Sequence, residues 1–169
     1  NGSYRLGKST FRCWKEGGHG SVDMSNAIKH SCNVYFFTIA NTIGAERIIE
    51  MAKKFGYGEY FDVSLYGVKS GNMPSDEWKR KKLNEPWVGG DTLNTAIGQG
   101  FVLATPLQLA VITSRIANGG VPIHPYLVKN KNTANQYEKL KDQLLAKKQH
   151  LDLVLQGMNR VVNEPGGTA

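Results

Sequence analysis

Ser31, Cys32 and Asn33 set a hydroxyl, a thiol and a carboxamide side by side in the chain. A hydroxyl both donates and accepts hydrogen bonds, so it can pass a proton. A carboxamide offers a donor and an acceptor matched to a peptide group. Upstream stand Cys13 and His19, which with Cys32 form a C-x5-H-x12-C pattern. Thiolates and imidazole are the donors zinc prefers, although this spacing is not that of a standard finger. A Cys13–Cys32 disulfide or a pair of buried thiols would use the same residues. On spacing alone, Ser31 is an ordinary turn or cap serine and Asn33 an N-cap. These alternatives stay open at the level of spacing.

The elements that must position these groups are legible nearby. Residues 3–14 read as a hairpin or extended segment ending in the tight turn Gly17-Gly18-His19-Gly20. Ser21 or Asp23 can cap a short helix from Met24 through Lys29. Val34 to Ile43 carries apolar residues on all sides and reads as a buried helix. Ser31-Cys32-Asn33 therefore falls where two helices meet. Ala45 to Phe55 repeats apolar residues with helical period and stops at Gly56.

Residues 57–90 read as a long irregular connector with one short helix near Ser75–Lys81. Such length is more often functional than accidental. Thr105-Pro106 is a strong helix start, and a mostly buried helix follows to Asn118. Val121 to Val128, with Pro122 and Pro125, is expected to be an edge strand. Residues 129–148 are expected to be a Lys-rich loop with a short helix. His150 to Val162 is a final amphipathic helix.

Two motif matches carry no chemistry here. Gly2 to Ser9 fits the phosphate-binding pattern G-x-x-x-x-G-K-S, which works only between a buried strand and a helix. The match begins at residue 2, where no preceding strand is expected, and a glycine cluster follows instead of a helix. Lys69-Ser70-Gly71 fits K-S/T-G, a strand-edge motif, but Pro74 follows closely and argues for a turn.

The bulk numbers describe an ordinary globular chain of 169 residues, with 40% hydrophobic and 21% charged residues. That length suits one domain or a large piece of one. No run approaches the ~18 apolar residues of a membrane span. The net charge of +7 comes from scattered lysines, which reads as a solvated basic surface and not a nucleic-acid footprint.

Blocks along nearly the whole chain resemble one family. They are Tyr4-Arg5-Leu6-Gly7, Phe11-Arg12-Cys13-Trp14-Lys15, Gly18-His19-Gly20 and Ser31-Cys32-Asn33-Val34-Tyr35-Phe36-Phe37. Further on come Lys54-Phe55-Gly56-Tyr57-Gly58, Ser70-Gly71-Asn72-Met73-Pro74, Ile97-Gly98-Gln99-Gly100 and Ala104-Thr105-Pro106-Leu107-Gln108. In this order they resemble the elongation-type class B penicillin-binding proteins, the penicillin-binding protein 2 group. Gly167-Thr168-Ala169 resembles the segment shortly before that family's third motif.

The resemblance implies an α+β fold: the largely helical part of a transpeptidase domain, with most of the central antiparallel sheet outside residues 1–169. It implies D,D-transpeptidation of peptidoglycan stem peptides through an acyl-serine, acylation by β-lactams, and a periplasmic location at the inner membrane with the anchor elsewhere. Ser31 and Asn33 would be the catalytic S-x-N pair. Gly98, Gln99 and Gly100 would line the substrate cleft, though an ordinary turn explains them as well. Cys13, His19 and Cys32 would bind structural zinc, with a fourth, carboxylate ligand before Asn1.

Partners would be membrane proteins of the elongation machinery, and an exposed inner face could let an isolated piece self-associate. No serine here is followed by lysine three residues on. The nucleophile motif S-x-x-K is therefore expected upstream and K-S/T-G downstream, and the 169-residue piece alone is expected to be inactive. The competing class is a noncatalytic, zinc-stabilised interaction module with a basic surface.

Overall fold

The computed structural model describes residues 2–128 and 144–169. Among them are a two-stranded antiparallel sheet and a series of helices, an α+β arrangement dominated by helix. The chain forms two compact units. One comprises Asn1–Ile49, Pro74–Phe101 and Leu153–Ala169; the other comprises Glu50–Met73 and Val102–Asp152.

In the first unit, β1 (Ser3–Leu6) pairs with β2 (Ser9–Arg12), Tyr4 opposite Phe11. The connecting turn needs φ of +58° at Gly7, a conformation glycine adopts without steric cost. The G-x-x-x-x-G-K-S stretch is thus a strand, a turn and the start of a second strand, with no helix directly after it. Helices α1 (Met24–Lys29) and α2 (Asn33–Ile43) follow. The side chain of Asp23, one of the two expected caps, accepts from the Asn26 N–H and starts α1.

The core of this unit is Phe37, Ala40 and Leu93, with Tyr4, Leu6 and Phe11 packed around it. Phe11 meets Phe37 edge-on at 5.7 Å between ring centroids. The helix read as buried all round is buried on one side only, because Ile39 and Ile43 are exposed.

Helices α3 (Ala45–Phe55) and α4 (Asp76–Leu83) match the expected segments. Ser75 caps α4, and Asn84 ends it in the left-handed conformation. Helix α5 (Gly89–Ala96) had no counterpart in the sequence reading, since it opens on two glycines. Tertiary contacts supply what propensity lacks. The Asp91 carboxylate accepts from the Val88 N–H, Leu93 is fully buried, and α5 packs along α2. Buried Lys79 binds Asp91 at 2.7 Å, which raises the lysine pKa.

In the second unit, α6 (Pro106–Ala117) starts at the expected Thr105 cap. On this helix, expected to be mostly buried, two polar residues lie inside and an apolar one outside: Gln108 and Arg115 are buried and Leu109 is exposed. Gln108 donates to the carbonyls of Glu59 and Ser70 and accepts from the Thr105 N–H. Arg115 joins Glu59 to the Ile123 carbonyl. Each is buried because it satisfies irregular backbone that has no ladder of its own.

The expected edge strand over Val121 to Val128 does not form. Pro122 and Pro125 lack the N–H a ladder needs. The Ile123 carbonyl is taken by Arg115, and the Asn118 side chain takes both polar groups of Val121. Lys69-Ser70-Gly71, read as a turn, lies in irregular backbone beside an isolated bridge between Asn72 and Leu103. Most of the Lys-rich stretch anticipated over 129–148 lies outside the described residues. The final helix, α7, spans Lys148–Asn163.

Candidate acyl-transfer and metal site

The backbone between α1 and α2 makes Ser31 conspicuous. The Ser31 N–H bonds the Ile28 carbonyl and the Cys32 N–H bonds the Ala27 carbonyl, the double closure of a Schellman motif. The pivot of that motif adopts the left-handed conformation, and glycine usually fills it. Here the pivot is Ser31, at φ +50°. A side-chain-bearing residue in that region costs on the order of 1 kcal/mol or more. The motif turns Ser31 outward, exposed, and Cys32 inward, 4% exposed. Asn33 is the first residue of α2, so Cys32 and not Asn33 is its N-cap. The Asn33 amide reaches the Arg12 carbonyl at 3.4 Å.

Behind this turn the three candidate metal ligands converge. The donor atoms of Cys13, His19 and Cys32 all lie within 4.8 Å of one another. Cys13 Sγ is 3.4 Å from His19 Nδ1. Tetrahedral zinc with ordinary Zn–S and Zn–N bonds would set that separation at roughly 3.5 Å. The glycines around His19 make the convergence possible. Gly2 accepts from the Cys13 N–H, and a Cβ on Gly2 would sit 2.7 Å from the Gly18 nitrogen.

Both cysteines are free and buried, so the Cys13–Cys32 disulfide is not formed. Burial alone would raise the Cys13 thiol. The N–H groups of Lys15, Asn33 and Val34, with Cys32, outweigh that and hold it below its usual value. Cys32 is pushed up by burial and then by Cys13. Burial, Lys15 and His30 keep the His19 pKa low, which favours the neutral imidazole a metal needs.

Three residues without a role in the sequence reading complete the site. The Trp14 indole N–H points to the carbonyls of both His30 and Ser31, each at 3.0 Å. His30 stacks on His19 with ring centroids 5.6 Å apart. Its Nδ1 bonds the Gly166 carbonyl at 2.9 Å. Thr168 Oγ1 lies 2.7 Å from Ser31 Oγ. The Gly-Thr pair in the last block of the resemblance was the one available signal, and nothing in its spacing pointed at Ser31.

Gly98-Gln99-Gly100 is an exposed turn at the end of α5, with φ of +73° and +70° at its glycines. Among the described residues no backbone hydrogen bond joins it to Ser31 or Asn33. A cavity of about 490 Å³ in the second unit, walled by Lys53, Tyr57, Ser70 and Met73 among others, includes none of the candidate residues.

The family described as the penicillin binding protein transpeptidase domain matches residues 1–169. The chain is 37% identical over 164 residues to the peptidoglycan D,D-transpeptidase MrdA of Haemophilus influenzae, covering 94% of this chain and 25% of that protein. It is 34% identical to the Escherichia coli K12 protein of the same name, covering 94% and 26%. Penicillin-binding protein 2 of Pseudomonas aeruginosa, solved in complex with WCK 5153, superposes at a TM-score of 0.87. It is 35% identical, over 99% of this chain and 38% of that one. The Helicobacter pylori protein solved as a complex between penicillin-binding protein 2 and MreC gives 0.85 at 36% identity, covering 99% and 31%. The chain spans about a quarter of the length of these curated relatives. Its match along the full 169 residues, with a fold superposing on two solved penicillin-binding proteins 2, makes it a member of the penicillin-binding protein transpeptidase domain family.

Proposed function

We propose that this chain supplies the S-x-N segment of a peptidoglycan D,D-transpeptidase that cross-links stem peptides by serine acyl transfer and is acylated by β-lactams. The observation that carries the reading is the Schellman turn. It spends a left-handed backbone position on a serine and turns that hydroxyl outward, one residue from the Asn33 amide. In the reaction, a serine supplied by another part of the protein attacks the donor peptide's carbonyl and expels an amine. Ser31 passes the proton that amine needs, giving up its own as it accepts another from the lysine base. Asn33 holds the peptide backbone.

Cys13, His19 and Cys32 would hold zinc, which would fix the far side of the turn and do no chemistry on the substrate. The protein would act at the periplasmic face of the inner membrane with partners in the elongation machinery. The Helicobacter pylori relative, described as a complex with MreC, supports that reading. Among the described residues no helix is long and apolar enough to cross a membrane.

Fluorescent penicillin tests the activity. The full-length protein is expected to take covalent label, and Ser31→Ala and Asn33→Ala to slow it at least about tenfold. Label on the isolated 169-residue chain would show that the nucleophile has been misplaced. Metal analysis tests the zinc. About one equivalent, lost in Cys32→Ser, supports it. A zinc-free protein two mass units light would favour the disulfide instead.

A further inference from the structure

Ser31 is held at both ends by groups that form and break no covalent bond in the reaction. Its carbonyl is taken by Trp14 and its hydroxyl by Thr168. Thr168 comes from the segment after α7, far away in sequence, and that segment is anchored apart from the Ser31 contact. Glu164 binds the buried Lys29 at 2.8 Å and Arg160 at 2.9 Å. Arg160 in turn donates to the side chains of Ser25 and Asn26 on α1. His30 donates to the Gly166 carbonyl. Gly167 packs so tightly on the last turn of α7 that a Cβ would sit 2.9 Å from the Arg160 carbonyl oxygen. The segment therefore delivers the Thr168 hydroxyl to a fixed place.

That hydroxyl has one proton and two acceptors within reach. One is Ser31 Oγ at 2.7 Å and the other is the Lys29 carbonyl at 3.3 Å. When Thr168 donates to Lys29, its oxygen accepts the proton of Ser31. When Thr168 donates to Ser31, the Ser31 proton is free to point at another group. Resting on the transpeptidase reading above, we propose that Thr168 is a positioning residue that exchanges donor and acceptor roles with Ser31, so that the serine stays in place at every stage of proton transfer.

The protons balance. Ser31 gives its proton to the departing amine and accepts one from the ammonium of the base. The proton of Thr168 never leaves its oxygen; it only turns between two acceptors. A valine has the same shape but can do neither. A serine can do both.

The test uses the full-length protein and a fluorescent penicillin, measuring the first-order acylation rate constant separately from the half-saturating concentration. Thr168→Val is expected to lower the rate constant about tenfold, the usual size for one lost hydrogen bond in a transition state, with half-saturation unchanged. Thr168→Ser is expected to stay within about twofold of wild type. In a Ser31→Ala background, Thr168→Val should cost nothing further.

Wild-type rates in Thr168→Val would overturn the proposal. So would equal losses in the valine and serine variants, or an additive loss on top of Ser31→Ala. If Thr168→Val unfolds, the serine variant carries the test: full activity supports the hydroxyl role, and a tenfold loss refutes it. A wild-type protein that takes no label would refute the transpeptidase reading and this one with it. A labelled wild type with an equally labelled valine variant refutes the role of Thr168 alone.

Discussion

Adding one methyl group to Gly167 should undock the segment that carries Thr168. A Cβ there would overlap the Val161 carbonyl oxygen and lie 2.7 Å from its carbon and 2.9 Å from the Arg160 carbonyl oxygen. All three are backbone atoms of α7, so no side chain can move to make room. Relief requires residues 165–169 to shift by about 1 Å or more, given the ordinary contact distances between heavy atoms. Such a shift breaks the bonds from His30 to Gly166, from Ser31 to Thr168 and from Thr168 to Lys29.

At ~0.5–1.5 kcal/mol each, those three bonds alone contribute about 1.5–4.5 kcal/mol to docking the segment. Losing them lowers its docked population by one to three orders of magnitude. Hydrogen exchange of the full-length protein reads this directly. Gly167→Ala should increase exchange in peptides covering 26–32 and 160–169 by at least about tenfold, while peptides over α5 and α6 stay protected. Unchanged protection at 26–32 would refute the reasoning, because it would show that the turn at Ser31 does not depend on the segment packed against it.

The strain at Ser31 should be visible in stability: Ser31→Gly is expected to be more stable than Ser31→Ala by about 1 kcal/mol, since glycine accepts φ of +50°. Equal unfolding midpoints for the two would show that the turn is unstrained. Gln108→Leu should destabilise the second unit by about 3 kcal/mol in urea unfolding, because it strands the carbonyls of Glu59 and Ser70 and the N–H of Thr105; a loss under about 1 kcal/mol would contradict the role given to it.

Two ion pairs set opposite pH limits. Lys29, then Arg160, holds the Glu164 pKa low. Its contribution is complete above the unfolded carboxylate value of about 4.3 and disappears as pH falls through the lower folded value. Asp91 raises the Lys79 pKa, so that pair contributes fully below about 10.4 and is lost as pH rises through the higher folded value. Exchange at 160–169 should rise first in acid and at 89–96 first in strong base, and the reverse order would refute the assignment.

Most of the local structure could be read from the chain because it is locally caused. Asp23 and Thr105 are caps, Pro106 occupies the first turn of its helix, and Gly7 sits where a hairpin must bend. The helices α1, α2, α3, α6 and α7 follow from such signals within a few residues. Failures occurred where distant groups override local preference. Helix α5 begins on glycines and exists because Leu93 is buried against α2 and Asp91 caps Val88. The segment 121–128 has the composition of an edge strand, but Arg115 and Asn118 claim its backbone first. Gln108 and Arg115 are polar residues on a mostly apolar helix, yet both are buried beside Val111 and Ile112 while Leu109 is exposed.

By itself, then, the sequence determined which residue types could do chemistry here: a hydroxyl and a carboxamide flanking a thiol, with a second thiol and an imidazole upstream. Hydrogen-bonding capacity and ligand preference are properties of single side chains, so they are legible without coordinates. Only the tertiary structure decided how those groups face. It turned Ser31 outward through a left-handed pivot and Cys32 inward to Cys13 and His19. It also brought Thr168 to within 2.7 Å of Ser31. Contacts across such separations arise when helices pack, and no periodicity in one segment records which residue of another will meet it.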